Sequence, residues 1–153
     1  MNAPAIEFPA LVFTDKTRKF SCAYSAANPK ELQVCPVHTY LRTGRLAGLR
    51  LYDSKGRCLH GRATGRWSLD KELVHAVGPV IWTISAVLSG FNVPLVFEIE
   101  WHEAGGEQLE QVKRELSDYV RGNPTPHTRQ HPLGSVLARV NRATTYGDLC
   151  RAL

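Results

Sequence analysis

An uncharged segment dominates the middle of the chain: no Lys, Arg, Asp or Glu occurs from Leu73 to Phe97. As one continuous helix, a segment of that length could cross a hydrocarbon core of about 30 Å. Gly78-Pro79 interrupts its first part and Gly90 to Pro94 breaks its second part, because glycine and proline are poor residues for a helix interior. We therefore expect no membrane span.

The same segment predicts a helix, a turn and a strand. Ser68 is a suitable N-cap for a helix from Leu69 to Leu88. Apolar residues cover most of the circumference of that helix, which is typical of a buried central helix, and Pro79 would kink it. The alternating residues of Leu95–Trp101 predict a strand with one face in the core.

The clearest local signal is a β-hairpin. Leu46–Tyr52 and Arg57–Trp67 flank the tetrapeptide Asp53-Ser54-Lys55-Gly56. Asp at the first turn position and Gly at the fourth fit a type I turn that ends in a left-handed residue, a conformation that glycine adopts without steric cost. The pattern predicts two antiparallel strands joined by this turn.

Length and element order predict one α+β domain, because 153 residues fall within the usual size of a single core and strands precede helices. Further strands are expected at Leu11–Phe13, Lys19–Tyr24 and Val37–Leu41, and further helices at Glu107–Arg121, Leu133–Val140 and Tyr146–Ala152. The expected fold is a mainly antiparallel sheet of four to six strands packed on the kinked central helix, with further C-terminal helices. We expect a core domain over 1–122, a proline-rich connector over 123–132, and a helical extension over 133–153 that packs on the same domain.

Composition excludes several classes of protein. With 43% apolar and 22% charged residues, the chain is neither disordered nor collagen-like nor a coiled coil. The first residues lack the basic start of a signal peptide, and the four cysteines are widely scattered, so we expect reduced thiols and a cytoplasmic location. No phosphate-binding loop or Gly-x-Ser-x-Gly elbow is present, and we expect no cofactor.

Charge is unevenly distributed along the chain. The total is +5, but residues 42–66 alone carry +6, residues 98–118 carry −5, and residues 119–153 carry +4. A basic segment of this kind favours an anionic partner. The competing interpretation is that the acidic segment of the same chain neutralises the basic hairpin.

Strand alternation predicts which hairpin side chains would meet such a partner. With Leu49 and Leu51 facing the core, the outward side chains include one Tyr, one His and several Arg. Guanidinium groups bind phosphate or carboxylate, and aromatic rings stack on bases. The hairpin therefore predicts a non-enzymatic module that binds nucleic acid or an acidic protein surface. The expected binding residues are Arg50, Tyr52, Arg57, His60, Arg62 and Arg66.

A small metal-dependent nuclease is the enzymatic alternative. Glu98 and Glu100 alternate along the strand, so both carboxylates share one face, with His102 as the next residue on it. Two such carboxylates can hold Mg²⁺, and Asp53 could join them. The alternative reading of these residues is a solvated strand face.

Two further hypotheses remain open. Cys35 and His38 lie three residues apart at a proline-containing turn, and Cys58 and His60 share a strand face, which would permit a tetrahedral zinc site. A protein–protein inhibitor or immunity-type interaction protein would carry no sequence signature and fits a small domain equally well.

Overall fold

In a computed structural model, the described residues are 4–14, 22–36, 41, 46, 48–90, 92–123 and 131–153. Six strands form one sheet in the order β2-β1-β4-β5-β6-β3, and every neighbouring pair in it is antiparallel. The strands are β1 Ala10–Thr14, β2 Ala23–Ala26, β3 Val34–Pro36, β4 Leu49–Tyr52, β5 Cys58–Leu69 and β6 Pro94–Ala104. The predicted α+β class and antiparallel sheet are confirmed.

Six helices occur within these described ranges: α1 Pro29–Gln33, α2 Lys71–Val77, α3 Pro79–Leu88, α4 Leu109–Gly122, α5 Leu133–Arg142 and α6 Tyr146–Ala152. The last three correspond to the helices predicted at Glu107–Arg121, Leu133–Val140 and Tyr146–Ala152. Of the predicted strand at 37–41 only Leu41 is described, and it is not in a strand. The first residues of the strand predicted at 19–24 and most of the connector at 123–132 lie outside the described residues.

The predicted hairpin is present as β4 and β5, paired from Tyr52 opposite Cys58 to Leu49 opposite Gly61. Asp53 is fully buried in its turn and accepts hydrogen bonds from the backbone N–H groups of Lys55 and Arg57 at 3.0 and 2.9 Å. Gly56 has φ +85°, and the Tyr146 ring fills the space that a Cβ would occupy there. Both observations explain the Asp and Gly of the turn.

The core has two parts, one on each face of the sheet. Side chains of β1, β4 and β5 on the first face pack against α4, α5 and α6. Its buried members include Leu11, Phe13, Tyr52, Cys58, Val112, Leu116, Val120, Val136, Val140, Leu149 and Cys150. The second face packs around α1 and includes Val12, Leu32, Cys35, Leu49, Leu51, Leu59, Leu95, Phe97 and Ile99. Alternation along β4 and β5 sends successive residues into the two parts.

The final helix, α6, is fixed by a capping box. The Thr145 hydroxyl accepts a hydrogen bond from the Asp148 backbone N–H at 3.0 Å, and the Asp148 carboxylate accepts one from the Thr145 backbone N–H at 3.2 Å. The hydrogen bond from Thr145 holds the pKa of Asp148 below its usual value. Reciprocal caps of this kind satisfy N–H groups that have no partner in the first turn of a helix.

The predicted central helix over 69–88 is not confirmed. β5 continues to Leu69, α2 begins only at Lys71, and Gly78 separates α2 from α3 with φ +82°. The two helices meet at 103°. Of the residues in α2 and α3, Ala86 alone is fully buried. The uniform apolarity that predicted a central position therefore belongs to helices on the outside of the molecule.

No single helix in the described part of the chain is long and apolar enough to cross a membrane. Only α2 and α3 together meet the length and hydropathy criteria, and the sharp bend separates them.

Candidate interaction surface

We call residues 67–90 the arm, and the rest of the described chain is the body. The arm comprises the end of β5, helices α2 and α3, and the turn at Ser89-Gly90. It carries eight large apolar side chains that are substantially exposed, from 37% for Val77 to 82% for Leu88. These eight residues, here called the apolar surface, are Trp67, Leu69, Val77, Val80, Ile81, Ile84, Val87 and Leu88.

Local sequence explains the shape of the arm. The Asp70 carboxylate caps α2 by accepting a hydrogen bond from the Leu73 backbone N–H at 3.2 Å. It also forms an ion pair with Lys30 at 2.9 Å, and the hydrogen bond from Lys30 lowers the pKa of Asp70. Gly78 adopts a left-handed conformation that favours glycine, and Pro79 begins α3 where its missing N–H costs nothing. The bend is therefore encoded by Gly78-Pro79.

The apolar surface is concentrated on α3, where Val80, Ile81, Ile84, Val87 and Leu88 recur at a spacing that puts them on one side of the helix. Exposed apolar side chains that lie together mark interaction sites more often than scattered ones do. A cleft of about 280 Å³ adjoins the surface at Trp67 and is also lined by Arg66 and Glu98. An apolar area with a cleft and charged neighbours is typical of an interaction site.

The exposed polar side chains of β5 and β6 form a second surface, on the face of the sheet opposite to Trp67 and Leu69. Its members, here called the ribbon face, are His60, Arg62, Arg66, Glu98, Glu100 and His102. Arg62 lies opposite Glu100 in the strand register, and His60 lies opposite His102. Arg66 and Glu98 form an exposed ion pair at 3.8 Å. With neutral histidines, this face carries two positive and two negative charges.

Three of the six predicted hairpin binding residues form contacts within the molecule instead. Arg50 forms ion pairs with Glu107 at 3.3 Å and with Glu115, and its guanidinium lies 5.1 Å from the centre of the Phe13 ring. The acidic segment of the chain therefore neutralises this arginine, as the competing interpretation of the charge pattern expected.

Tyr52 and Arg57 are also held within the molecule. Tyr52 is fully buried and stacks on Tyr146 with ring centroids 5.9 Å apart, and burial raises the pKa of the Tyr52 hydroxyl. Arg57 forms an ion pair with Asp53 at 2.7 Å and donates a hydrogen bond to the Ala5 carbonyl. His60, Arg62 and Arg66 are the three predicted binding residues that are exposed.

The predicted nuclease residues are close together on the ribbon face. Glu98 and Glu100 have exposed carboxylates, and His102 lies 4.0 Å from Glu100. Asp53 does not join them, because it is buried in the hairpin turn with Arg57. Within the described ranges, no group of three or more His, Cys, Asp or Glu side chains could hold a metal ion.

The predicted zinc ligands are distributed over both faces of the sheet. Cys35 is buried in the second part of the core and Cys58 in the first, so the sheet separates the two thiols. Burial raises the pKa of Cys58, which disfavours the thiolate that would bind zinc. His60 is exposed, and His38 lies outside the described residues.

The arm was missed as a site because its sequence resembles that of a buried helix. A useful signal was present in Gly78-Pro79, which separates two short helices and leaves each too small to cross a core. Comparisons of the chain with protein-family models, curated proteins and solved structures give no match.

Proposed function

We propose that this chain is a non-enzymatic protein-binding module that docks through the apolar surface of the arm. The partner would present apolar side chains of its own to α3. The observation that carries the proposal is the exposure of α3, where Val80, Ile81, Ile84, Val87 and Leu88 are all more than half exposed. Burial of such side chains is the main favourable contribution to protein association.

A protein partner fits the charges better than a nucleic acid does. Nucleic-acid affinity comes largely from cations that neutralise phosphates. Arg50 and Arg57 are engaged within the fold, and the exposed Arg62 and Arg66 stand opposite or beside Glu98 and Glu100. The ribbon face therefore has no net charge to attract a polyanion.

Binding is also favoured over the nuclease alternative. Catalytic carboxylates usually lie in a concave site that partly excludes water. Glu98 and Glu100 are instead exposed on an open strand face, with side-chain exposures of 56% and 66%. Their arrangement is that of solvated carboxylates.

Site-specific photo-crosslinking tests the proposal. The photoreactive residue p-benzoylphenylalanine would replace Ile84 on α3, and in a matched control it would replace Gln111, which is exposed on α4 of the body. Both proteins would be irradiated in the cells from which the chain comes. We expect a discrete protein adduct from position 84 and none from position 111.

Three results would contradict the proposal. One is the absence of a protein adduct at position 84, and another is an adduct formed with lipid only. The third is salt-dependent binding of a labelled oligonucleotide that is abolished by Arg62→Glu with Arg66→Glu, because that would identify the ribbon face as a nucleic-acid site.

A further inference from the structure

We infer that the body holds a second site, a cleft beside α4 and α5 that binds a small phosphate monoester. This site is independent of the proposed docking through α3, because the described residues that line the cleft belong to α4 and α5. Three features point to it: a buried polar stripe on α4, a buried hydroxyl without a partner, and an arginine with no ion pair within the described residues.

The cleft is lined by two helices of the body. Its volume is about 500 Å³, which is within the range of small-molecule sites. Six of its described lining residues lie on α4, and the seventh, Asn141, lies on α5. All seven side chains are polar or charged, so a polar ligand fits this cleft better than an apolar one.

The sequence of α4 places a polar stripe beside its apolar one. Lys113, Ser117 and Arg121 recur at every fourth residue, so their side chains share one side of the helix. Lys113 and Ser117 are nevertheless buried, with 9% and 6% of their surface exposed. Lysine is rarely buried to this degree, because its charge loses hydration. The stripe is therefore a polar wall of the cleft and not a solvated helix face.

Ser117 carries a hydrogen-bonding group that the fold leaves unused. Its Oγ is buried and has no hydrogen-bond partner. A buried hydroxyl without a partner is unfavourable, and a bound molecule that supplies the missing hydrogen bond removes that cost. Because Ser117 lines the cleft, a ligand in the cleft can supply this partner.

The charges of the cleft favour an anion. Lys113 forms an ion pair with the exposed Glu110 at 2.8 Å, and Arg121 forms one with Asp118 at 3.4 Å. Arg114 also lines the cleft, is exposed, and has no ion pair within the ranges that the structure describes. The described lining therefore carries one positive charge in excess.

A phosphate monoester matches these groups. A guanidinium binds phosphate through two parallel hydrogen bonds. The Lys113 ammonium has three N–H donors, and Glu110 accepts a hydrogen bond from it at 2.8 Å. The Asn141 amide and the Ser117 hydroxyl add neutral donors. A phosphate group offers three acceptor oxygens to these donors, whereas a carboxylate offers two.

An NMR titration with glycerol 3-phosphate tests the inference. The isotope-labelled wild-type chain would be titrated at constant ionic strength, with glycerol and sodium acetate as separate reference ligands. We expect the amide signals of Lys113, Ser117 and Asn141 to shift with a dissociation constant of about 1 mM, a modest affinity suited to so small a molecule. Glycerol should cause no shift. Acetate that binds as tightly as the ester would overturn the assignment to phosphate.

Three variants identify the groups that bind. Arg114→Gln removes the unpaired guanidinium and should weaken binding about fivefold. The matched control Arg142→Gln removes the same charge from an exposed residue of α5 that is not part of the described lining, and it should bind like the wild type. Ser117→Ala should weaken binding about fivefold without lowering the melting temperature of the free chain, because its hydroxyl has no partner there.

Any of three results would overturn this site. One is the absence of shifts at the cleft with glycerol 3-phosphate up to about 20 mM. Another is an equal loss of affinity in Arg114→Gln and Arg142→Gln, which would show only a general attraction to a basic chain. The third is a lower melting temperature of free Ser117→Ala, since its hydroxyl would then stabilise the fold. None of these results bears on photo-crosslinking at position 84, because the cleft and the apolar surface share no described residue.

Discussion

The body and the arm both contain apolar helices, but they use them in opposite ways. In the body, α4 presents one apolar stripe to the sheet, and its Val112, Leu116 and Val120 are completely buried. In the arm, α3 is apolar on most sides and Ile84 is 53% exposed. The spacing of apolar residues, and not their number, therefore indicates which helix packs on the core.

The difference also concerns what holds each region in place. α4 is held by burial of its stripe, whereas Ala86 is the one buried residue of α3. Short helices without packing are marginal in water. The arm is therefore expected to gain stability from a partner, and the body is expected to be stable by itself.

The largest effect is expected from the centre of the body. Leu116 is completely buried in the core. Leu116→Ala should therefore lower the free energy of unfolding by about 3 kcal/mol, because apolar burial is lost and a cavity is left. Urea denaturation monitored by circular dichroism measures this change. A loss below about 1 kcal/mol would mean that α4 does not form the core described above.

A second effect is a pH dependence of the free energy of unfolding, which comes from a thiol in the body. Burial raises the pKa of Cys150 from 9.0 to about 11. Because the pKa is raised in the folded state, the neutral thiol contributes stability that is complete below pH 9 and is lost as the pH rises toward 11, up to about 2 kcal/mol. The stability difference between wild type and Cys150→Ala should therefore shrink over this interval in chemical denaturation. A difference that stays constant would show that the thiol is open to solvent.

A smaller effect distinguishes internal charges from those on the ribbon face. Arg50→Met would leave Glu107 and Glu115 half-buried without their cation, at a cost of about 1–2 kcal/mol after allowance for solvent screening. Arg62→Met should change the free energy of unfolding by less than about 0.5 kcal/mol, because its side chain is exposed. Equal effects in thermal denaturation would contradict the assignment of the two arginines to different roles.

The smallest effect is expected in the arm. Ile84→Ala should change the stability of the dilute monomer by less than about 0.5 kcal/mol, although the same kind of truncation at Leu116 removes about 3 kcal/mol. Both variants would be measured in the same urea series at low protein concentration. A cost above about 2 kcal/mol at Ile84 would remove the distinction between arm and body.

Local patterns predicted much of the body. Asp53 and Gly56 identified the hairpin turn, amphipathic spacing located α4, and the two short helices predicted after it correspond to α5 and α6. Alternation placed Arg50 and Tyr52 on one face of β4, which agrees with the structure. It did not show that helices from the end of the chain cover that face at Tyr52, since such packing depends on long-range contacts.

The other differences between the predicted and the observed structure also come from long-range packing. The ion pairs of Arg50 join residues 57 and 65 positions apart, and no local pattern specifies such a pairing. For α3, a helix that is apolar on most sides contains no polar face to indicate solvent. Its apolarity is equally compatible with a monomer core and with an exposed surface, and Gly78-Pro79 predicted only a kink, although in the structure it separates two helices.

The most direct test is alkylation at Ile84→Cys in the purified, dilute chain, measured peptide by peptide with mass spectrometry. We predict rapid labelling at position 84, while the buried Cys35 and Cys150 stay protected. Protection of position 84 to the same degree as Cys35 and Cys150 would place α3 in the monomer core and contradict the account.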